Sequence, residues 1–506
     1  MLLLLASGCA TYQQSTQNFT QSTRGGGLMA AIPQIEQQAA KSTGGKDEIV
    51  YRLEQGATLW AATLADPSMV PSISPPAAPA KPAEDPVPPP PAPTPEEVQA
   101  VYARRSVDAF DRAEDRINYW EEQAKTKVGA EVGAALTNQA ALPYRGRAYD
   151  KVMMNTYKAM TYLVLGESDK ARVELNRALQ RQRDAVAENE VRIAAAREQA
   201  EKAARGELKD DAGKSAAYDS NKALEDPKTG PALQAALNAS IAPMKPYGDY
   251  VNPFAVFIDG LYFSVLGQSG DDWERGRKSF ERVASMVPEN PYLATDLDAA
   301  ARAAEGQVPE NVTYVIFETG TAPLRGEERI DIPTFLVTSR LAYIGAAFPK
   351  LVFNHDYIPG LTITAGEQTF TTATVASMDS VIANDFKNDW PTVVTKTLIT
   401  SATKAIVQAT VQKQAEDRGG MFGGLIAAAA MTVLNSATNI ADTRTWTSLP
   451  KEFQYARFPT PADRQVTVSA QGVQKTITLR EGSVNVVYVK SSSTTAPLYA
   501  SQFVLK

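Results

Sequence analysis

Apolar and polar positions follow three rhythms along this chain. From Lys151 to Leu179 apolar residues recur at helical spacing, and from Leu175 the pattern runs on through Leu179, Gln182, Val186, Asn189, Ile193, Ala196, Ala200 and Ala203. Steps of four and three put these positions on one seam of a long helix, expected to span 170–206 and to protrude from its neighbours. Across 167–210 ten basic residues stand beside ten acidic ones, the balance of a solvated helix surface rather than of a nucleic-acid stripe. Past Pro309 the period drops to two. Residues 312–317, 361–364, 465–468, 474–479 and 484–489 are predicted strands, with Gly472 and Gly482 at turns. A third rhythm starts at Asp389-Trp390-Pro391, where proline suits a first helical turn, and runs to about Glu416. Trp390, Val394, Leu398, Ala402, Ala405 and Ala409 share one stripe of that helix. Residues 419–441 carry no charge, so a second helix over 421–436 is expected to be buried beside the first. A membrane span is the weaker reading, because alanine and glycine add little hydrophobicity. The predicted class is α+β: an α-helical region over 47–310, then a β-rich C-terminal domain over 311–506 that holds a helical hairpin at 391–416 and 421–436.

Within the helical region Ala159, Tyr162, Gly166, Ala171, Leu175 and Ala178 fall at the spacings of a tetratricopeptide repeat, which the stretch resembles. A second copy uses Gly260, Phe263, Gly267, Gly276, Phe280, Val283 and Pro288, once four extra residues around Asp271 and Asp272 are allowed. Asn155 and Lys158 depart from the pattern, standing where large apolar residues are usual. A third, degenerate copy is split, with Gly56 and Leu59 on its first helix and Ser106, Phe110 and Ala113 on its second. Between its halves, residues 67–95 hold 13 of the 32 prolines. Proline lacks an amide donor and fixes φ, so this insert is expected to be extended, either a loop from a helix turn or a spacer between anchor and body. The repeat resemblance implies that Met153, Thr156, Met160, Phe254, Phe257 and Leu261 line a concave, partner-binding side. With so few repeats that groove is short, and the C-terminal domain is expected to cover much of it.

The chain opens with an apolar run that ends Leu5-Ala6-Ser7-Gly8 before Cys9, the only cysteine. This resembles a bacterial lipoprotein signal. The resemblance implies a signal peptide over 1–8, cleavage before Cys9 and acylation of its thiol. Ala10, rather than Asp, then implies the outer membrane, with the protein facing the periplasm. No Lys or Arg precedes the run, which is shorter than the about 7–15 residues of such segments, so the start is expected to be truncated. Residues 10–23 are uncharged and rich in Thr, Gln, Ser and Asn, and 9–46 is expected to be a flexible lipidated tether. Together with 142–151, 171–178 and Asn252-Pro253-Phe254, the chain from 47 to 506 is similar to an uncharacterised family of bacterial tetratricopeptide-like outer-membrane lipoproteins with a β-rich C-terminal part. That similarity implies an envelope location and a non-catalytic, partner-binding role, and it supplies no catalytic residues.

Composition narrows the chemistry. At 506 residues the chain suggests two to four units, and 51 basic against 57 acidic residues leave a charge of only -6, unlike a nucleic-acid binder. One cysteine and one histidine, Cys9 and His355, exclude disulfide frameworks, Cys/His zinc sites and Cys-His nucleophiles. No phosphate-binding loop, HExxH or GxSxG occurs. Asp271 and Asp272 are expected to be a solvated turn and His355 a surface residue. No catalytic residue, metal or cofactor is expected. Two function classes remain, with other envelope proteins as partners. One is a non-catalytic scaffold or adaptor that binds protein through its helices; the other is an accessory regulator of a periplasmic peptidoglycan enzyme, reaching its target through the proline-rich spacer.

Overall fold

The computed structural model describes residues 12–73, 93–126, 139–208, 217–241, 244, 247, 248, 250–307, 311–336, 342–402 and 440–506. The fold is α+β, a helical N-terminal region followed by a β-rich one. Its helices are α1 (Tyr12–Arg24), α2 (Leu28–Lys41), α3 (Glu48–Leu64), α4 (Pro95–Thr126), α5 (Ala148–Val164), α6 (Ser168–Ala204), α7 (Ser220–Leu224), α8 (Thr229–Ile241), α9 (Pro253–Leu266), α10 (Gly270–Met286) and α11 (Leu293–Ala304). A twelfth, α12, runs over 378–402. Cys9 and the expected helix at 421–436 lie outside the described residues.

The N-terminal segment is not a tether. Tyr12, Thr16 and Phe19 of α1 are buried, as are Leu28, Ala31, Ile32, Ile35 and Ala39 of α2. Steps of three and four set them on one face of each helix, an amphipathic signal that the polar average composition hides. Three helix pairs follow, α3 on α4, α5 on α6 and α9 on α10. In the first and third, a glycine admits a phenylalanine ring from the partner helix. A Cβ on Gly56 would stand 2.5 Å from Phe110, and one on Gly260 3.2 Å from Phe280. Helix starts are written locally: Thr94 Oγ1 accepts from Glu97 N at 3.2 Å while Glu97 Oε2 accepts from Thr94 N at 2.8 Å, a capping box with Pro95 first in the helix. Asn252 Oδ1 caps α9 without a reciprocal partner, accepting from Phe254 N at 3.0 Å ahead of Pro253's helix.

Because α3 and α4 pack together, the proline-rich insert leaves and re-enters one helix pair. Its flanks meet: Gln99 Nε2 donates to Thr63 O at 3.2 Å, and Tyr102 OH to Pro71 O at 2.6 Å. The described ends of the insert thus lie within one helix pair; residues 74–92 lie outside the description. The long helix occurs where expected but does not protrude freely. Arg192 pairs with Asp389 of α12 at 3.1 Å, and Ala203 and Leu208 pack on Ile399. Helix α12 in turn starts well before Asp389-Trp390-Pro391, where Ser377 Oγ accepts from Ser380 N at 3.3 Å, and passes through Pro391. Trp390, Val394, Leu398 and Ala402 of the expected stripe are buried; Ala405 and Ala409 lie outside the description.

The strands are β1 (Val312–Thr319), β2 (Leu324–Pro333), β3 (Tyr343–Val352), β4 (Thr362–Ala365), β5 (Gln368–Thr371), β6 (Ala373–Ser377), β7 (Glu452–Pro459), β8 (Gln465–Ala470), β9 (Val473–Thr478), β10 (Val484–Ser491) and β11 (Tyr499–Val504). They form a five-stranded sheet, β11-β10-β1-β7-β6, a four-stranded sheet, β5-β4-β8-β9, and the β2-β3 pair. Within the larger sheet only the β1-β10 contact is parallel. The β8-β9 hairpin turns through Gln471 and Gly472, both in the left-handed region at φ 52° and 77°. All eight positions of β1 and of β10 are buried. The alternation explains this: Tyr314, Ile316, Val486 and Tyr488 face the helices, whereas Val315, Phe317, Val487 and Val489 pack against Ile363, Val466 and Val468 of the smaller sheet.

Candidate functional site

The six residues expected on a partner-binding concave side are core instead. Met153, Thr156, Met160, Phe254, Phe257 and Leu261 are all at most 3% exposed. The chain's own sheet fills that side: Phe254 stacks on Phe453 with centroids 3.7 Å apart, and Phe257 packs on Tyr455 at 4.5 Å. A protein partner has no access there. Polar groups seal the same boundary. Glu318, fully buried on β1, accepts from Trp60 Nε1 and Tyr157 OH, each at 3.2 Å, and from Tyr488 OH at 2.5 Å, with Lys490 as its ion-pair partner. Asp296 accepts from Tyr455 OH at 2.6 Å and Tyr314 OH at 2.7 Å and pairs with Arg457 at 3.1 Å.

A groove of about 660 Å³ lies between α4 and α6. Asp111, Glu114, Asp115 and Asn118 line one wall, a run of helical spacing along α4. The other wall carries Lys170, Val173, Glu174, Arg177, Gln180, Arg181 and Asp184 of α6, and Tyr162 closes one end. Beneath them, α5 supplies the floor through Asn155 and Lys158, the two residues that depart from the repeat pattern. Lys158, 1% exposed, reaches Glu114 at 2.6 Å, Asp111 at 2.8 Å and Glu174 at 3.0 Å. Asn155 Nδ2 donates to Glu174 at 2.7 Å and to Glu114 at 3.1 Å. Arg177 spans the same two carboxylates from above, at 3.0 and 2.9 Å.

Burial alone would lower the Lys158 pKa, but Glu174 and Glu114 outweigh it and raise the pKa well above that of a free lysine. Burial likewise pushes Glu114 up, yet Lys158, Asn155 and Arg177 bring it below the usual carboxylate range. Both groups therefore stay charged near neutrality. Neither is poised to exchange a proton, and the cluster fixes charge in place rather than moving it. Departure from an apolar motif position was the sequence signal for this floor. Nothing in the spacing located its walls, since α4 and α6 belong to different pairs.

Asp272 also differs from expectation. It is buried and takes both guanidinium nitrogens of Arg172, at 2.8 and 2.7 Å, joining α10 to α6, while Asp271 is exposed. His355 sits exposed on a loop. Among the described residues no group of His, Cys, Asp or Glu is arranged to hold a metal ion, and no helix is long and apolar enough to cross a membrane. No protein family, curated protein or solved structure matches this chain.

Proposed function

We propose that this chain is a non-catalytic lipoprotein of the cell envelope, anchored through Cys9 on the periplasmic face of the outer membrane. In this reading it is a scaffold or adaptor that takes its partner protein through tetratricopeptide-like helix pairs. The groove between α4 and α6 carries the proposal. It is open, polar and walled by two rigid helices, and its floor charges are held by Lys158, so a partner meets a preorganised pattern of hydrogen-bonding groups. The apolar side of α5 and α9 is covered by the sheet, so in this reading the partner is met on the polar side. A photo-crosslinking side chain at Val173, half-exposed in the groove wall, should capture a defined envelope protein from intact cells. Replacement of Asp115 and Asp184 by lysine should abolish that capture while the protein stays folded. Capture unchanged in the double variant would sink the proposal.

A further inference from the structure

The chain between Cys9 and the folded body is very short. Cys9 and Tyr12 are three residues apart, so at full extension their Cα atoms stand no more than ~11 Å from one another. Tyr12 is no loose end. Its ring packs on Tyr51 with centroids 5.5 Å apart, its hydroxyl donates to Glu54 at 3.3 Å, and Ser15 Oγ bonds Tyr51 OH at 2.8 Å. At its other end α1 is held by Ser492 Oγ, which donates to Thr23 O at 2.7 Å. The helix cannot swing away as a leash without giving up these contacts. Its outward positions, Gln17, Asn18 and Gln21, are exposed, and Arg24 in the last turn is its only charge.

We infer that the outward face of α1 lies directly against the lipid headgroups, so that the body is docked on the bilayer rather than suspended from it. This rests on the proposed acylation of Cys9. With the acyl chains in the hydrocarbon, a headgroup layer of about 5–8 Å accounts for most of the span from Cys9 to Tyr12. Amide and hydroxyl side chains suit that layer, because they exchange water for phosphate and glycerol oxygens and bury no charge. Docking should therefore need no anionic lipid, and the occupant of this face is a neutral phospholipid surface. The α9–α10 pair, the last of the three helix pairs along the chain, should then make the weaker membrane contact.

Acylation blocks the only native thiol, so an introduced cysteine takes a fluorophore uniquely. The full-length lipidated protein, labelled at Gln17→Cys or at Ser285→Cys on α10, would be reconstituted on phosphatidylcholine vesicles carrying a headgroup-level nitroxide lipid, with mass spectrometry reporting the lipid on Cys9. The label at position 17 should be quenched several-fold more than the one at 285. A twenty-residue Gly/Ser insert between Thr11 and Tyr12, with a reach of ~25 Å, should erase the difference while the protein still floats with vesicles. Flotation with equal, weak quenching at both sites overturns the docking and leaves the anchor standing. Quenching that survives the insert also overturns it, since the short anchor is then not what holds the face down. An unmodified Cys9 with no flotation removes the anchor, and the docking with it.

Discussion

Tyr157 and Lys158 are neighbours in sequence and about 100° apart around α5, and they meet opposite environments. Tyr157 turns to the sheet, where Glu318 is 0% exposed and its ion-pair partner Lys490 lies with it under Trp60 and Tyr488. Lys158 turns to the groove, where its own head is just as buried but its partner Asp111, and Arg177 on the carboxylates they share, are about half-exposed. One helix thus carries a dry ionic cluster on one side and a wet one on the other. The charged groups of both are paired, so ion pairing does not distinguish structure from site. Access of water to the outer members does, because only those can exchange a solvent partner for a protein one.

The largest consequence falls on the dry cluster. Glu318→Ala leaves Lys490 charged and enclosed and three aromatic donors without their acceptor, and it should cost about 3–5 kcal/mol in urea unfolding. A loss under about 1 kcal/mol would mean that water reaches this boundary. Lys158→Met tests the other cluster. Arg177 remains on Glu114 and Glu174, and the groove lets water solvate what is exposed, so the loss should be smaller, about 1–3 kcal/mol. If the two variants cost the same, the contrast between dry and wet sides is wrong.

Much of this arrangement was legible in the sequence, and its gaps have physical causes. Period-two segments located β1, β4, β8, β9 and β10 to within two residues at each end. Strand β2, with Arg325, Glu327, Glu328, Arg329 and Asp331 in its ten residues, gave no such signal. It pairs only with β3, and Arg325 is buried over the Phe386 ring. The N-terminal helices were hidden by uncharged polar side chains, although Tyr12, Thr16 and Phe19 already carried the helical step. At α12 the proline at 391 reads as a helix start, whereas the chain begins this helix at 378, where Ser377 Oγ accepts from Ser380 N. For the groove, sequence reading noted Asn155 and Lys158 only as departures from the repeat pattern and assigned them no site. It placed the partner on the apolar side, since apolar faces read as binding surfaces until one knows what covers them.

A pH series sharpens the comparison with a smaller effect. Burial, opposed by Tyr455, Arg457 and Tyr314, raises the Asp296 pKa to about 6, and burial also raises Asp379 and Asp385 to about 6. An aspartate whose folded pKa lies above its unfolded one takes up its proton first in the folded state. Its contribution is most favourable below about pH 4 and is lost as pH rises through 6. Glu114 and Glu121 in and beside the groove are lowered and work in the opposite direction, losing stability as pH falls below their unfolded values. Asp296→Asn isolates one member. The stability gap between wild type and this variant should shift by about 1–2 kcal/mol in favour of wild type between pH 7 and pH 4.5. A gap that is flat over this range would mean that Asp296 is hydrated.

The smallest effect on stability belongs to the groove walls. Asp115 is exposed on α4, and Asp184 accepts from Gln180 of its own helix, at 2.6 Å. Among the described residues neither carboxylate pairs with Lys158, and neither pairs with a residue of another helix pair. Asp115→Asn and Asp184→Asn should therefore change unfolding free energy by less than about 0.5 kcal/mol each, whereas substitutions one turn inward at Glu114 or Glu174 strand Lys158 and cost several times more. The distinction matters for the proposed partner. A carboxylate that contributes nothing to the fold but lines its open groove is free to be read by another protein, and removing its charge should slow association in a salt-dependent way while the folded state stays as it was. Urea titrations of the two single variants beside their partner on-rates at low and high salt decide this. A variant that loses stability and leaves on-rate untouched would place these walls with the dry cluster and leave the groove without a reader.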